Sequence, residues 1–251
     1  MGRVLAIANQ KGGVGKTTTA VNLAAYLAAA GKRTLIIDMD PQGNATQGMG
    51  LDKDSAPNAY HVVMGEARVD EVARDSAYEH LRVVPANRDL VGAEVELVDA
   101  DQREFRLRRA LEHDRNRYDF IFIDCPPSLG LLTLNGLVSA DGLIITLQCE
   151  YYALEGLSEL LRTVVLVRER LNPGLRVYGV LLTMYQQTNL SRQVRDDVCE
   201  HLGEKVFETV IPRNVTLGEA PSYGQPVRYY DPTCKGALAY EELSREVLAR
   251  G

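Results

Sequence analysis

The sequence predicts an α/β fold, a mostly parallel, twisted sheet of about seven or eight strands with helices on both faces. Short β-branched runs alternate with longer segments of helical period, which is the pattern of strand–helix crossover units. Runs such as Phe120-Ile121-Phe122-Ile123 are apolar throughout, as strands covered on both faces require. No internal repeat, low-complexity tract or linker divides the 251 residues, so a single domain over 1–251 is expected.

Arg3–Ala8 opens the sheet, and its apolar stretch ends at Asn9, Gln10 and Lys11, far short of a membrane span. Lys16–Ala30, rich in Ala and Leu, reads as the first helix, stopped by Gly31. Arg33–Ile37 is the second strand. Asn44–Pro57, rich in Gly, Asp and Asn, reads as a surface loop of the kind that often carries function. Further strands are expected at Leu81–Val84, Phe120–Asp124, Leu143–Leu147, Val177–Thr183 and Val206–Ile211. The remaining helices are expected at Arg88–Glu112, Leu154–Leu171, Leu190–Leu202 and Gly236–Ala249.

Lys and Arg number 28 against 34 Asp and Glu, a net charge of −6, which argues against a constitutively basic nucleic-acid binder. Any DNA contact must then be local. Cys125, Cys149, Cys199 and Cys234 lie far apart without a Cys-x-x-Cys pair, so they read as reduced cytosolic thiols rather than zinc or cluster ligands. His61, His80, His113 and His201 also lack metal-ligand spacing.

The most informative residues follow the first strand directly: Lys11-Gly12-Gly13-Val14-Gly15-Lys16-Thr17-Thr18, then a helix. Glycines let backbone N–H groups turn inward around phosphate oxygens, and the helix N-terminus adds positive dipole. Lys16 neutralises phosphate charge, and Thr17 can ligate magnesium. A nucleoside triphosphate with Mg2+ is the expected ligand. Two acidic motifs close later strands: Asp38-Met39-Asp40-Pro41-Gln42-Gly43-Asn44, and Asp124-Cys125-Pro126-Pro127-Ser128. Carboxylates at the carboxyl ends of parallel strands face the ligand crevice of open α/β sheets. Phosphoryl transfer needs positioning and charge neutralisation, which carboxylates, lysines and magnesium supply.

Where the usual P-loop has a glycine five positions before Gly15, this chain has Gln10, with a second lysine, Lys11, beside it. That departure resembles the deviant Walker A loop of the ParA/MinD family of P-loop ATPases, whose signature lysine matches Lys11. The resemblance implies ATP hydrolysis with Mg2+. Asp124 would hold the metal through water, Asp38 would lie near it, and Asp40 would orient or activate the attacking water. Lys11 would reach across an ATP-sandwiched homodimer, with Gly12 at the interface. Asp40–Gly48 and Pro126–Leu134 would be γ-phosphate-sensitive switch loops.

Leu182-Thr183-Met184-Tyr185, Asn189–Val194, Ile211–Val215 and Glu219–Gly224 look like segments of the Soj-type chromosomal ParA proteins. By that resemblance Pro212, Arg213 and Asn214 flank the adenine, with Met184 beside it. Such proteins bind DNA without sequence preference when dimeric, and a ParB-like partner stimulates hydrolysis. Candidate DNA phosphate contacts are Arg192, Arg195, Arg213, Arg228 and Lys235. Gln186-Gln187 and Thr216 depart from the family pattern. The chain starts on its first strand, so the operator-binding region of larger plasmid relatives is expected to be missing. The implied setting is the cytoplasm, on the nucleoid. A MinD-like membrane-associated regulator is the alternative, but the tail Tyr240–Leu248 is short and acidic for an amphipathic anchor. The missing cysteine pair weighs against a metallocluster carrier.

Overall fold

A computed structural model describes residues 2–150 and 153–250 of the chain. Its sheet has seven strands: β1 (Arg3–Ala8), β2 (Thr34–Asp38), β3 (Arg74–Asp75), β4 (Leu81–Val84), β5 (Phe120–Asp124), β6 (Gly142–Gln148) and β7 (Arg176–Thr183). Their order is β3-β4-β2-β5-β1-β6-β7. Every pairing is parallel except that of β3, a two-residue edge strand antiparallel to β4.

Among the described residues twelve α-helices cover the sheet. The first four are α1 (Lys16–Ala29), α2 (Asn44–Gly48), α3 (Ala59–Met64) and α4 (Val69–Val72). Then come α5 (Asp89–Glu96), α6 (Arg106–Leu111), α7 (Leu131–Ser139) and α8 (Ala153–Arg170). The last four are α9 (Asn189–Leu202), α10 (Thr216–Glu219), α11 (Val227–Tyr230) and α12 (Lys235–Ala249). Alternation along each strand divides the core in two. Leu5, Ile7, Ile36, Phe122 and Ile144 pack under α1, α2 and α10–α12. Val4, Ala6, Leu35, Ile123 and Ile145 pack under α3–α9. Because both faces are covered, β1, β2 and β5 are almost wholly buried, which is why they read as continuous apolar runs.

Topology places the site. From β1 the chain crosses beyond β5 to β2, whereas from β5 it crosses over β1 to β6. The connections therefore diverge at the carboxyl end of β1, the kind of switch point where open α/β sheets bind ligands.

Four expectations need correction. Val206–Ile211 forms no strand; it touches β7 through the single bridge Val180–Val206 and the amides of Phe207 and Ile211. Between them, the Glu208 and Thr209 amides donate instead to the Glu246 carboxylate of α12, at 2.9 and 3.1 Å. A strand ladder cannot continue through amides committed elsewhere. Arg88–Glu112 is two helices, α5 and α6, rather than one. The chain breaks at Gln102, whose φ is 52°, and Asn135 of α7 holds the break by bonding Arg103 O and Leu107 N. Asp99 and Asp101 after α5 also oppose a helix C-terminus. Asn44–Pro57 begins with helix α2, whose Ala45 and Thr46 are fully buried, so only its later half is surface loop. The fourth difference is the edge strand β3, which the sequence does not predict because two residues carry no periodicity.

Candidate nucleotide site

The loop between β1 and α1 is anchored at both ends. Asn9 donates from Nδ2 to Thr146 O on β6, at 2.7 Å, and accepts the Lys11 amide at 3.0 Å. At the other end Thr183 Oγ1 of β7 donates to the Val14 carbonyl at 2.9 Å. Gly13 and Gly15 have φ of +72° and +85°, which side-chain-bearing residues rarely adopt; here they turn the backbone into the N-terminus of α1. Lys16 follows, only 6% exposed, with Nζ donating to the Lys11 carbonyl at 3.0 Å. Burial lowers its pKa, opposed by the nearby Asp124 carboxylate. Lys11 itself is half-exposed and ion-paired with Glu150 at 2.5 Å. Glu150 is held in turn by Gln148 Nε2.

The two acidic motifs meet beside this loop. Asp38 and Asp124 are register partners at the ends of β2 and β5, and both are fully buried. Their environments differ sharply. Asp38 accepts three hydrogen bonds: Oδ1 from the Asp40 amide (3.1 Å), and Oδ2 from the Thr46 amide (2.8 Å) and hydroxyl (2.7 Å). Neither oxygen of Asp124 meets hydrogen-bond geometry with a partner among the described residues, although the Thr17 hydroxyl lies near enough to favour its charged form. Burial pushes the Asp38 carboxyl up to about 6 against these hydrogen bonds. It pushes that of Asp124 well above the usual range, reinforced by the Asp38 charge and only partly offset by Thr17 and Lys16. Asp40 is 6% exposed and accepts the Gln42 amide at 2.9 Å.

Lys16 and Asp40 line the first of two adjoining cavities, of about 550 and 460 Å³, which share Gly15, Thr18 and Met184, while Asp38 and Asp124 lie buried behind them. The first is lined by Gly12, Gly13, Lys16, Thr17 and Asp40. The second is lined by Thr183, Pro212, Arg213, Asn214 and Tyr240. Met184 has a positive φ of 50°, held because next to it the Tyr185 amide donates to the Ile211 carbonyl (3.0 Å) and the Arg213 amide donates to the Tyr185 carbonyl (3.1 Å). Asn214 Oδ1 is buried without a partner among the described residues, so the second cavity offers an unsatisfied amide to a ligand. The sequence gives no sign of Gln225 in the first cavity or of Glu150, which pairs with Lys11, and Asn22 also lines that cavity; Thr46 and Gln47 fall within the expected switch loop Asp40–Gly48, and Pro221 within Glu219–Gly224. Asn22, a polar residue inside an Ala-rich helix, was the one visible signal.

The candidate DNA contacts do not gather. Arg192 and Arg195 stand exposed on α9, in the layer with α8. Arg228 and Lys235 belong to α11 and α12 in the opposite layer, and the Arg228 guanidinium lies 5.0 Å over the Tyr26 ring. Arg213 is exposed at the second cavity. Among the described residues no helix is long and apolar enough to cross a membrane, and no three His, Cys, Asp or Glu side chains cluster as a metal site.

Residues 2–177 match the model of a family described as AAA domain. The chain is 54% identical, over the whole of both chains, to the sporulation initiation inhibitor protein Soj of Bacillus subtilis. It is 52% identical to the chromosome partitioning protein ParA of Myxococcus xanthus, covering 100% of this chain and 89% of that one. The chain belongs to the ParA/MinD family, in its Soj-type branch. Among solved structures, a protein titled cobyrinic acid a,c-diamide synthase from Mycobacterium smegmatis, with bound ADP and magnesium, superposes with a TM-score of 0.86. It is 40% identical, over 99% of this chain and 94% of that one. The Mg-ADP complex of MinD from Pyrococcus horikoshii matches with a TM-score of 0.81 at 26% identity, over 99% and 98%. In this Soj-type chain the deviant loop therefore sits on the expected fold, between β1 and α1.

Proposed function

We propose that the chain is a DNA-partitioning ATPase in which Mg-ATP drives dimerisation and non-specific DNA binding, and slow hydrolysis, stimulated by a ParB-like partner, reverses both. The observation that carries the nucleotide half is the buried, unpartnered Asp124 carboxylate beside Lys16. A buried charge without a partner is costly unless a cation completes it. Magnesium fits: it prefers oxygen ligands, keeps several waters and needs only one or two protein groups, here Asp124 and the Thr17 hydroxyl. When bound, it would neutralise charge on the phosphates. Asp38, with both oxygens already hydrogen-bonded, supports that site from behind rather than ligating.

This chain's own residues do the rest. Gly12–Thr18 bind the phosphates, with Lys16 leaving the Lys11 carbonyl for a phosphate oxygen. Asp40, whose Oδ2 is not engaged by the loop, orients the attacking water. Met184, Pro212, Arg213 and Asn214 enclose the base in the second cavity. Lys11 is the cation supplied across the dimer, once released from Glu150.

Of the two faces that carry arginines, either becomes a weak basic patch, doubled in a dimer. The MinD-like reading loses ground because α12 spends its apolar face, Tyr240, Leu243 and Val247, on the core. Filter binding to random duplex DNA, with and without Mg-ATP, tests the proposal. The expected result is ATP-dependent retention that falls steeply with salt. ATP-dependent binding to anionic vesicles in its place would overturn it.

A further inference from the structure

Behind the candidate catalytic carboxylate lies a hydrogen-bond relay that the nucleotide chemistry above does not use. It starts at Ala86, just beyond β4, whose amide donates to Thr46 Oγ1 at 2.9 Å. The Thr46 hydroxyl donates onward to Asp38 Oδ2 at 2.7 Å, and the Thr46 amide reaches the same oxygen at 2.8 Å. Asp38 Oδ1 then accepts the Asp40 amide at 3.1 Å, and Asp40 Oδ1 accepts the Gln42 amide at 2.9 Å. Thr46 and Asp38 are both fully buried, so water cannot replace any of these partners. The loop is pressed onto the same segment elsewhere: a Cβ on Gly43 would stand 2.6 Å from the Ala86 carbonyl oxygen.

The relay also divides labour between two adjacent carboxylates. Asp38 and Asp124 are register partners, yet Asp38 receives three donors and Asp124 none among the described residues. Without the Thr46 hydroxyl, Asp38 would lose a donor and the Ala86 amide its acceptor. The backbone carrying Asp40 would then be free to shift.

We propose that Thr46 is a positioning residue for hydrolysis: its hydroxyl, held by the Ala86 amide, fixes Asp38, and Asp38 fixes the backbone that carries Asp40. The proposal rests on the ATPase reading above. Its signature is a loss confined to turnover, since Thr46 lies behind the carboxylates and lines neither cavity.

The test compares T46V, which keeps the shape and removes the hydroxyl, with T46S, which keeps the hydroxyl. Both are measured by steady-state phosphate release from Mg-ATP, by ATP-binding calorimetry and by thermal melting. T46V should lose about tenfold or more in kcat while its KM and ATP affinity stay within about twofold of the parent, because a small misplacement of a catalytic group costs rate rather than ground-state binding. T46S should retain the parent kcat. If T46V does not fold, T46C replaces it, since a thiol is only a weak donor. Parental turnover in T46V or T46C, or an equal loss in T46S, overturns the proposal while the ATPase reading stands. A parent chain that releases no phosphate overturns both.

Discussion

Replacing Asp124 by Asn should stabilise the nucleotide-free chain and, at the same time, remove its response to magnesium. Both Asp124 oxygens are buried and unpartnered among the described residues, and the Asp38 carboxylate stands in register on the next strand. An unsatisfied buried polar group costs about 1–3 kcal/mol, and more when charged; Asn stays a buried polar group, so what it relieves is the excess due to charge, about 1–3 kcal/mol after the Lys16 ammonium has offset part of it. For a domain of this size each kcal/mol moves the melting temperature by about 2–4 °C, which puts D124N roughly 2–12 °C above the parent in chelator.

Asp124 is raised by burial and by the Asp38 charge, so its folded pKa exceeds its unfolded value. Such a carboxyl costs nothing below the unfolded pKa of about 3.9, and its penalty grows as pH climbs through the folded pKa. The advantage of D124N is therefore largest near pH 8 and shrinks towards pH 5. With Mg-ATP the advantage shrinks. A ligand at about 100 times its Kd adds about 2.7 kcal/mol to the parent, whereas D124N should keep only what nucleotide alone provides. Scanning calorimetry at both pH values, with chelator and with Mg-ATP, measures all four differences. A variant that melts at or below the parent at pH 8 in chelator refutes the orphaned carboxylate, and equal magnesium increments refute its metal role.

Two further outcomes follow from named contacts. Asp40→Ala should still bind Mg-ATP and accumulate dimers in size-exclusion chromatography, because the change removes the group proposed to face the attacking water and leaves the cradle intact; normal phosphate release in that variant would falsify the role given to Asp40. Gly179→Ala should destabilise the fold by about 1–3 kcal/mol in urea titration, as overpacking of a core does. The added Cβ would lie 2.2 Å from the Phe207 ring, which is 2% exposed and cannot move away freely. An unchanged midpoint would mean that the ring does not rest on β7.

What the sequence made legible were the features with a strong local cause. The apolar run of β5 and the helix stop at Gly31, with φ of +77°, are set by residue type alone, as is the glycine-rich turn into α1. So each was readable at its own position. What stayed hidden depended on partners distant in the chain. Glu246 diverts the amides of Glu208 and Thr209, and Asn135 holds open the break between α5 and α6. Each is separated from its target by tens of residues, so no periodicity within the target segment announces it. The same holds at the site. Asp38 and Asp124 look alike in sequence, each an acid at a strand end. Only the placement of Thr46 shows that one is satisfied and the other is not.

The two lysines of the deviant loop are physically linked, and the linkage gives the departure from the ordinary P-loop a consequence. In the structure the Lys16 ammonium rests on the Lys11 carbonyl, and the Lys11 ammonium rests on Glu150. A phosphate group competes for Lys16 far more strongly than a neutral carbonyl does, because charge-assisted hydrogen bonds are about twice as strong as neutral ones. Nucleotide binding would therefore remove a donor from the backbone of the very residue proposed to act at the partner's site. The Lys11–Glu150 pair that remains is half-exposed at both ends, and exposed pairs of that kind contribute only about 0–1 kcal/mol. So weak a hold would yield at little cost if Lys11 takes the role proposed for it across a dimer. Gln148, which braces Glu150, sits at the end of β6, directly beside β1. The strand next to the cradle thus positions both the loop that binds phosphate and the acid that restrains its unusual lysine.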